Sequence, residues 1–342
     1  MPGSLMSARS APSPPAEMDI TGVFDLIRPD FDAVNALIPH QLTSDVAMVE
    51  EIGRYITESG GKRLRPLLVL LSTRSLGYPG NQHHKLAAII EFLHTATLLH
   101  DDVVDKSDLR RGRPTANSLW GNQPSVLVGD FLYSRAFQMM VDLGSLDIMA
   151  ILSEATNVIA EGEVQQLVNI GNISLVEDDY MEVIRCKTAM LFQAASHTAA
   201  VLSKAEPRQT EALKLFGLHL GLAYQLVDDW LDYAGDAAVM GKNVGDDLAE
   251  GKVTLPLIFA MTHSSPTQAD VILQAVAQPD NADNADIVAI ADIVQDSGAL
   301  DYTREKAVEQ SLMAIRQLKA LPASLYREAL TVLAEFSVSR LS

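Results

Sequence analysis

Two short acidic motifs, each set in apolar sequence, constrain the fold of this chain more than any other feature. Asp101-Asp102-Val103-Val104-Asp105 follows Leu98-Leu99-His100, and Asp228-Asp229-Trp230-Leu231-Asp232 follows Leu226-Val227. On a helix the first and last aspartates of each motif share one face. Like charges crowded in this way destabilise the helix unless something positive arrives. A lone motif of this kind is ordinarily a solvated helix face or a cap. Two copies flanked by core-forming residues are different, because buried carboxylates are costly unless paired or metal-bound. Two such faces opposed across a cleft make an oxygen-only cage suited to Mg2+ and to the phosphate oxygens that Mg2+ brings with it.

The rest of the chain can build such a cleft from helices alone. From about residue 20 onward the periodicity is helical, and alternating β-branched runs bounded by tight turns are nearly absent. Punctuation falls at Gly60-Gly61, Gly77 to Gly80, Gly112 to Pro114, Gly121 to Pro124, Gly144, Gly171 and Pro207. Helical segments with short connections predict an all-α fold, a single large helical bundle with a central cavity. Residues 235–252 read as a glycine-rich loop and 279–286 as a polar linker before a last helical segment. Residues 1–16, rich in Ser, Pro and Ala, read as a disordered leader or cloning remnant, with 17–342 as the folded domain.

Composition narrows the partners. A net charge of −18 argues against nucleic acid. The single cysteine, Cys186, excludes an intramolecular disulfide and fits a reducing, cytoplasmic compartment. Apolar runs such as Leu67 to Leu71 are too short to span a bilayer. Against this acidic background the basic groups are few but clustered. Lys62, Arg63 and Arg65 stand at the mouth of a helix, Arg110, Arg111 and Arg113 follow the first motif, Lys187 lies mid-helix, and Lys242 and Lys252 sit in the glycine-rich loop. Any one cluster alone reads as a solvated patch. Together with the aspartates they suggest two anions, one held through Mg2+ and one held directly by Arg and Lys.

The stretch Phe92 to Asp105 with Arg110-Arg111-Gly112 resembles the trans-polyprenyl diphosphate synthases. Gly60 to Pro66, Glu161-Gly162-Glu163, Lys187-Thr188, Tyr224 to Asp229 and Gly241 to Lys252 extend the resemblance over roughly residues 20–340. It is greatest to the bacterial members that make octaprenyl-length side chains for respiratory quinones. Tyr224 departs from the pattern, where the family more often has Phe.

The resemblance implies an isoprenoid-synthase helical bundle and an Mg2+-dependent prenyltransferase. It would condense isopentenyl diphosphate onto an allylic diphosphate such as farnesyl diphosphate. It implies three Mg2+ ions held directly by Asp101, Asp105 and Asp228, and partly through water by Asp102, Asp229 and Asp232. Arg110, Lys187, Lys242 and Lys252 would bind the allylic diphosphate. Lys62, Arg65, His94 and Arg111 would bind isopentenyl diphosphate. Lys187, Thr188 and Gln225 would present oxygen dipoles to the carbocation. The loops at 106–116 and 235–252 would act as lids that exclude water. A homodimer is implied, with peripheral membrane contact considered for product release.

Product length is expected to be read near Ala96 and Thr97, where short-chain relatives carry a large aromatic. A helical wheel alone favours Thr97, so the role of Ala96 rests on the resemblance. An octaprenyl tail, extended at roughly 4–5 Å per unit, approaches ~40 Å. The helix expected from residue 84 to Asp101 is about 27 Å long, so the tail should bend or run beyond it. Four rival readings are weaker. A terpene cyclase has no use for Lys62, Arg65 and Arg111; a non-catalytic partner subunit should lack one aspartate motif. A metal phosphohydrolase built on His100-Asp101 lacks further His-Asp pairs. A purely structural helical protein would leave both acidic clusters without purpose.

Overall fold

A computed structural model describes residues 18–234, 245–277 and 284–341. Four helices open the chain: α1 (Ile20–Gln41), α2 (Ala47–Glu58), α3 (Leu64–Ser75) and α4 (Gln82–Val104). After α4 comes a two-residue hairpin, β1 (Leu109–Arg110) with β2 (Arg113–Pro114), then α5 (Ala116–Trp120), α6 (Asn122–Leu143) and α7 (Leu146–Val168). Next, α8 (Glu177–Ile184) runs through a π-helical turn at Arg185–Ala189 into α9 (Met190–Leu202) and is followed by α10 (Pro207–Ala234). The C-terminal part comprises α11 (Asp246–Ala249), α12 (Leu255–His263), α13 (Pro266–Ala277), α14 (Asn284–Asp296), α15 (Ala299–Gln317) and α16 (Leu325–Val338), closed by a 3-10 turn at Ser339–Leu341.

The all-α expectation holds, with the hairpin as the one strand pair among the described residues. Its tip is Arg111-Gly112, both left-handed (φ 54° and 72°), the backbone a two-residue hairpin turn requires. The leader lies outside the described residues, as do 235–244 of the glycine-rich loop, Lys242 among them. So do 279–283 of the expected linker; its remaining residues, 284–286, begin α14 instead.

Packing sets the two motif helices face to face. The run Leu67–Leu71 on α3 is wholly buried, as are Leu86 to Ile90 on α4; α3 packs on α4 and α9, and α10 packs on α9 and α15. Two apolar clusters result: the first joins helices α1 to α7 and α9 with Ala329, Leu330 and Leu333 of α16, and the second joins Tyr180 and Ile184 of α8 with α12, α13 and α14. Helix α10 serves both, with Leu213, Phe216 and Leu220 in the first and Leu226, Val227 and Tyr233 in the second. Small residues bring it close to α9. A side chain at Gly217 would meet the Phe192 carbonyl at 2.4 Å, and one at Gly221 would meet Ala189 Cα at 2.6 Å. No described helix is long and apolar enough to cross a membrane.

The far end of α4 is pinned by a knot around Asp30. Its carboxylate accepts Arg74 Nε at 2.7 Å, His83 Nε2 at 3.1 Å and His84 Nε2 at 2.8 Å. Burial opposes the charge, yet the bonds from Arg74 and His84 hold Asp30 well below the usual carboxylate range. This is a packing knot and not a metal site. The carboxylate is committed to a guanidinium, and His83 Nδ1 has no partner, whereas a metal-bound imidazole has its second nitrogen held.

Candidate active site

Both aspartate motifs sit where their helices end. Asp101 and Asp102 lie in the last turn of α4 with Asp105 as its C-cap, and Asp228, Asp229 and Asp232 lie in the last turns of α10. A helix C-terminus already carries partial negative charge, so two such ends with six carboxylates form a strongly anionic floor. Asp101, Asp105, Asp228, Asp229 and Asp232 line a single cavity of about 400 Å³. Asp102 does not; it is buried, and it accepts Arg110 Nε at 2.8 Å while its other oxygen, Oδ2, has no partner.

Burial pushes Asp101 above the usual carboxylate range; Lys187 opposes that push and Glu163 and Asp105 add to it. Burial also raises Asp229, with Asp247 adding repulsion. Neutral donors partly offset this: Gln225 Nε2 donates to Asp229 at 2.7 Å, and the Tyr180 hydroxyl donates to its other oxygen. Thr188 Oγ1 donates to Gln225 Oε1 at 2.7 Å, so a rigid chain runs from Thr188 to the second motif. The π turn presents Lys187 and Thr188, and α7 approaches it so closely that a Cβ on Gly162 would meet Lys187 N at 2.9 Å. Such bulges recur at functional sites.

Cations bridge the floor. Lys252 donates to Asp105 at 2.9 Å, Lys187 to Glu163 at 2.6 Å, and Arg340 Nη2 to Asp228 at 3.0 Å. Burial would lower Lys252, but Asp247, Asp105 and Glu250 together hold its ammonium well above its ordinary value. These pairs lie within a cavity, where charge interactions are stronger than in bulk water.

A second cavity of about 370 Å³ adjoins the first; Asp101, Arg110, Lys187, Thr188, Gln225 and Asp228 line both. Its far wall carries Lys62, Arg65, His94 and Arg111. Arg65 Nη1 donates to His94 Nε2 at 3.1 Å, and its guanidinium lies 4.2 Å from the centre of the Phe192 ring. Burial lowers Arg65 to about 10 and keeps His94 neutral, well below its usual range. Arg111 folds back onto the Gly60 carbonyl, and a side chain at Gly61 would overlap its guanidinium at 2.2 Å. The backbone at Gly61, with φ 122°, is in a region that favours glycine.

The structure brings together every expected site residue except three. Lys242 is outside the described residues, Asp102 turns away from the cavity, and Ala96 is fully buried in the first core, while its neighbour Thr97 lines the second cavity. Tyr180, Asp247 and Arg340 line the first cavity without having been singled out, as does Glu163 the second. Glu163 lies in a stretch the resemblance includes; Arg340 carries no local signal, being joined to Asp228 only by the fold.

A family model described as polyprenyl synthetase matches residues 46–294. The chain belongs to the polyprenyl synthetase family. It is a prenyltransferase. Octaprenyl diphosphate synthase of Escherichia coli (strain K12) is 49% identical over 323 residues, 94% of this chain and 99% of that protein. An all-trans-nonaprenyl-diphosphate synthase (geranyl-diphosphate specific) of Rhodobacter capsulatus is 46% identical, over 93% of this chain and 98% of that one. Among solved structures, a polyprenyl synthase from Caulobacter crescentus CB15 complexed with calcium and isoprenyl diphosphate superposes with a TM-score of 0.92 at 44% identity. The match covers 96% of this chain and all of that one. For this polyprenyl synthetase the donor set fits a hard divalent cation. The ligands are all oxygen, and in the first cavity the carboxylates of Asp101, Asp105, Asp228, Asp229, Asp232 and Asp247 outnumber the cations Arg110, Lys187, Lys252 and Arg340.

Proposed function

We propose that the chain condenses isopentenyl diphosphate onto an allylic diphosphate, with farnesyl diphosphate as primer, to give an all-trans polyprenyl diphosphate of octaprenyl length for quinone side chains. One observation carries this reading: a carboxylate-floored cavity and an arginine-walled cavity meet at Lys187, Thr188 and Gln225. The first suits a metal-borne diphosphate and the second a diphosphate bound by side chains alone. The names of the similar long-chain synthases support the product class.

Asp101, Asp105 and Asp228 would hold Mg2+ directly, with Asp229 and Asp232 completing the set and Asp102 orienting Arg110 instead; three ions are expected. Bound there, Mg2+ supplies neutralisation of charge on the leaving diphosphate. Arg110, Lys187, Lys242 and Lys252 orient that diphosphate as the allylic C–O bond breaks. Thr188 Oγ1, Gln225 and the Lys187 carbonyl stabilise the cation by fixed dipoles. Lys62, Arg65, His94 and Arg111 place the double bond of isopentenyl diphosphate to attack it, and the departing diphosphate accepts the proton then lost. The hairpin and the loop reaching Lys252 keep water away from the cation. Exposed Leu127 and Val141 on α6 support a homodimer, and a cytoplasmic location fits the lone cysteine.

The test is to incubate the protein with Mg2+, farnesyl diphosphate and labelled isopentenyl diphosphate, then size the dephosphorylated products. Octaprenyl-length alcohols are expected. Consumption of farnesyl diphosphate without isopentenyl incorporation would overturn the reading in favour of a cyclase. Ala96→Tyr, run alongside, should give shorter products from a folded, active enzyme; overpacking typically costs ~1–3 kcal/mol, so its Tm is compared with the parent.

A further inference from the structure

Glu91 is a buried carboxylate in the wall of an anion site. It sits on α4 one turn before His94 and lines the second cavity beside Lys62, Arg65 and Arg111. A carboxylate cannot bind a diphosphate, so any role must run through its neighbours. Those neighbours are three guanidiniums: Arg63, whose Nε lies 3.7 Å from Glu91 Oε1, and Arg65 and Arg111, whose charges also reach it.

The three arginines differ in what else they hold. Arg63 is committed. It caps α3 in a left-handed conformation (φ 45°) and donates to the Asn35 side chain and to the Thr57 carbonyl at 2.9 Å, tying α1, α2 and α3 together. Arg65 is not; its Nε is buried with no partner, and its Nη1 meets only a neutral histidine. Arg111 rests on a backbone carbonyl. Arg65 and Arg111 thus stand close together with donors to spare, and they repel one another. Like charges side by side are steadied by an opposite charge nearby.

We propose that Glu91 is a positioning residue for isopentenyl diphosphate: its carboxylate, anchored by Arg63, keeps Arg65 and Arg111 gathered before that diphosphate arrives. The inference deepens the proposed function and rests on it. Without the carboxylate, Arg111, on its exposed hairpin tip, can relieve the repulsion by swinging into solvent, and the site must then be reassembled at each binding event. The allylic site, whose cations pair with Asp102, Asp105 and Glu163, is untouched.

Charge and shape are separated by two variants. Glu91→Gln keeps the shape and removes the charge; Glu91→Asp keeps the charge and shortens the reach. KM for isopentenyl diphosphate should rise at least about tenfold in Glu91→Gln and less than about threefold in Glu91→Asp. KM for farnesyl diphosphate and kcat should stay within about twofold in both. A lower KM in Glu91→Gln, or Gln closer to the parent than Asp, overturns the proposal. If the Gln variant does not fold, Asp alone decides, and a rise beyond threefold overturns it. Failure of the parent protein to incorporate isopentenyl diphosphate would sink the proposed function itself, which is a separate outcome.

Discussion

The two aspartate motifs share one pattern and are held in opposite ways. At the end of α4, Asp102 and Asp105 are bound by cations from elsewhere: Arg110 on the hairpin and Lys252 after α11. At the end of α10, buried Asp229 accepts from two neutral donors, the Tyr180 hydroxyl and Gln225 Nε2, and the backbone N–H of Asp247 donates to Asp232. Arg340 also pairs with Asp228, the first aspartate of that motif. Neutral donors on packed helices fix a carboxylate without competing for its charge. Loop cations neutralise it and can leave with a diphosphate. Asp229 is therefore fixed by packed helices, while on the proposed function Arg110 and Lys252 at the α4 side would exchange a carboxylate for a phosphate partner.

The comparison predicts a ranked series of effects. Largest should be loss of either motif's lead carboxylate: Asp101→Ala or Asp228→Ala should lower kcat at least ~100-fold, the scale of removing a preorganised electrostatic group. A large drop in one and not the other would mean that one motif suffices. Next, Tyr180→Phe removes a donor to buried Asp229 and should cost about 1–3 kcal/mol of stability, read by urea unfolding, with a fall in kcat. Lys252→Met, on the exchanging side, should raise KM for the allylic diphosphate while lowering stability by less than Tyr180→Phe. The reverse order of stabilities would contradict the rigid-versus-exchanging distinction.

The smallest effect concerns pH. Helix α4 carries two histidines that burial keeps neutral: His83, pushed down to about 4, and His94, well below its usual range. Burial is the largest cause for both; His84 and Arg74 also oppose protonation of His83 while Asp30 favours it, and Arg65, Arg111 and Arg110 oppose that of His94. Unfolded, each takes a proton near pH 6.5. The unfolded state therefore binds more protons than the native state between about pH 6.5 and the depressed values, and stability falls as pH drops through that window. Amide protection factors in α4, corrected for the intrinsic exchange rate, should fall from pH 7 to 5 before those in α10 do.

The helical class, both motifs and nearly all of the cation clusters were legible in the sequence, because periodicity and local spacing encode them. What escaped was set by tertiary approach. Nothing in Arg185–Ala189 marks a π turn; it becomes visible only with Gly162 and Gly221 packed against it. Arg340 finds Asp228 across 112 positions of chain, beyond any helical wheel. That Asp102 turns towards Arg110 while Asp101 faces the cavity follows from the hairpin, whose two-residue strands are too short to signal. Arg63 stands in the same basic stretch as Lys62 and Arg65, and only its bonds to α1 and α2 show that it is structural.

The central claim is that both motifs together hold one metal-borne diphosphate. Calorimetric titration with inorganic diphosphate tests it directly, without turnover. With Mg2+ present the parent protein should bind at least about tenfold tighter than in excess chelator, and Asp101→Asn and Asp228→Asn should each abolish that gain. Binding that is equally tight with and without Mg2+, or a gain that survives either substitution, would contradict the account.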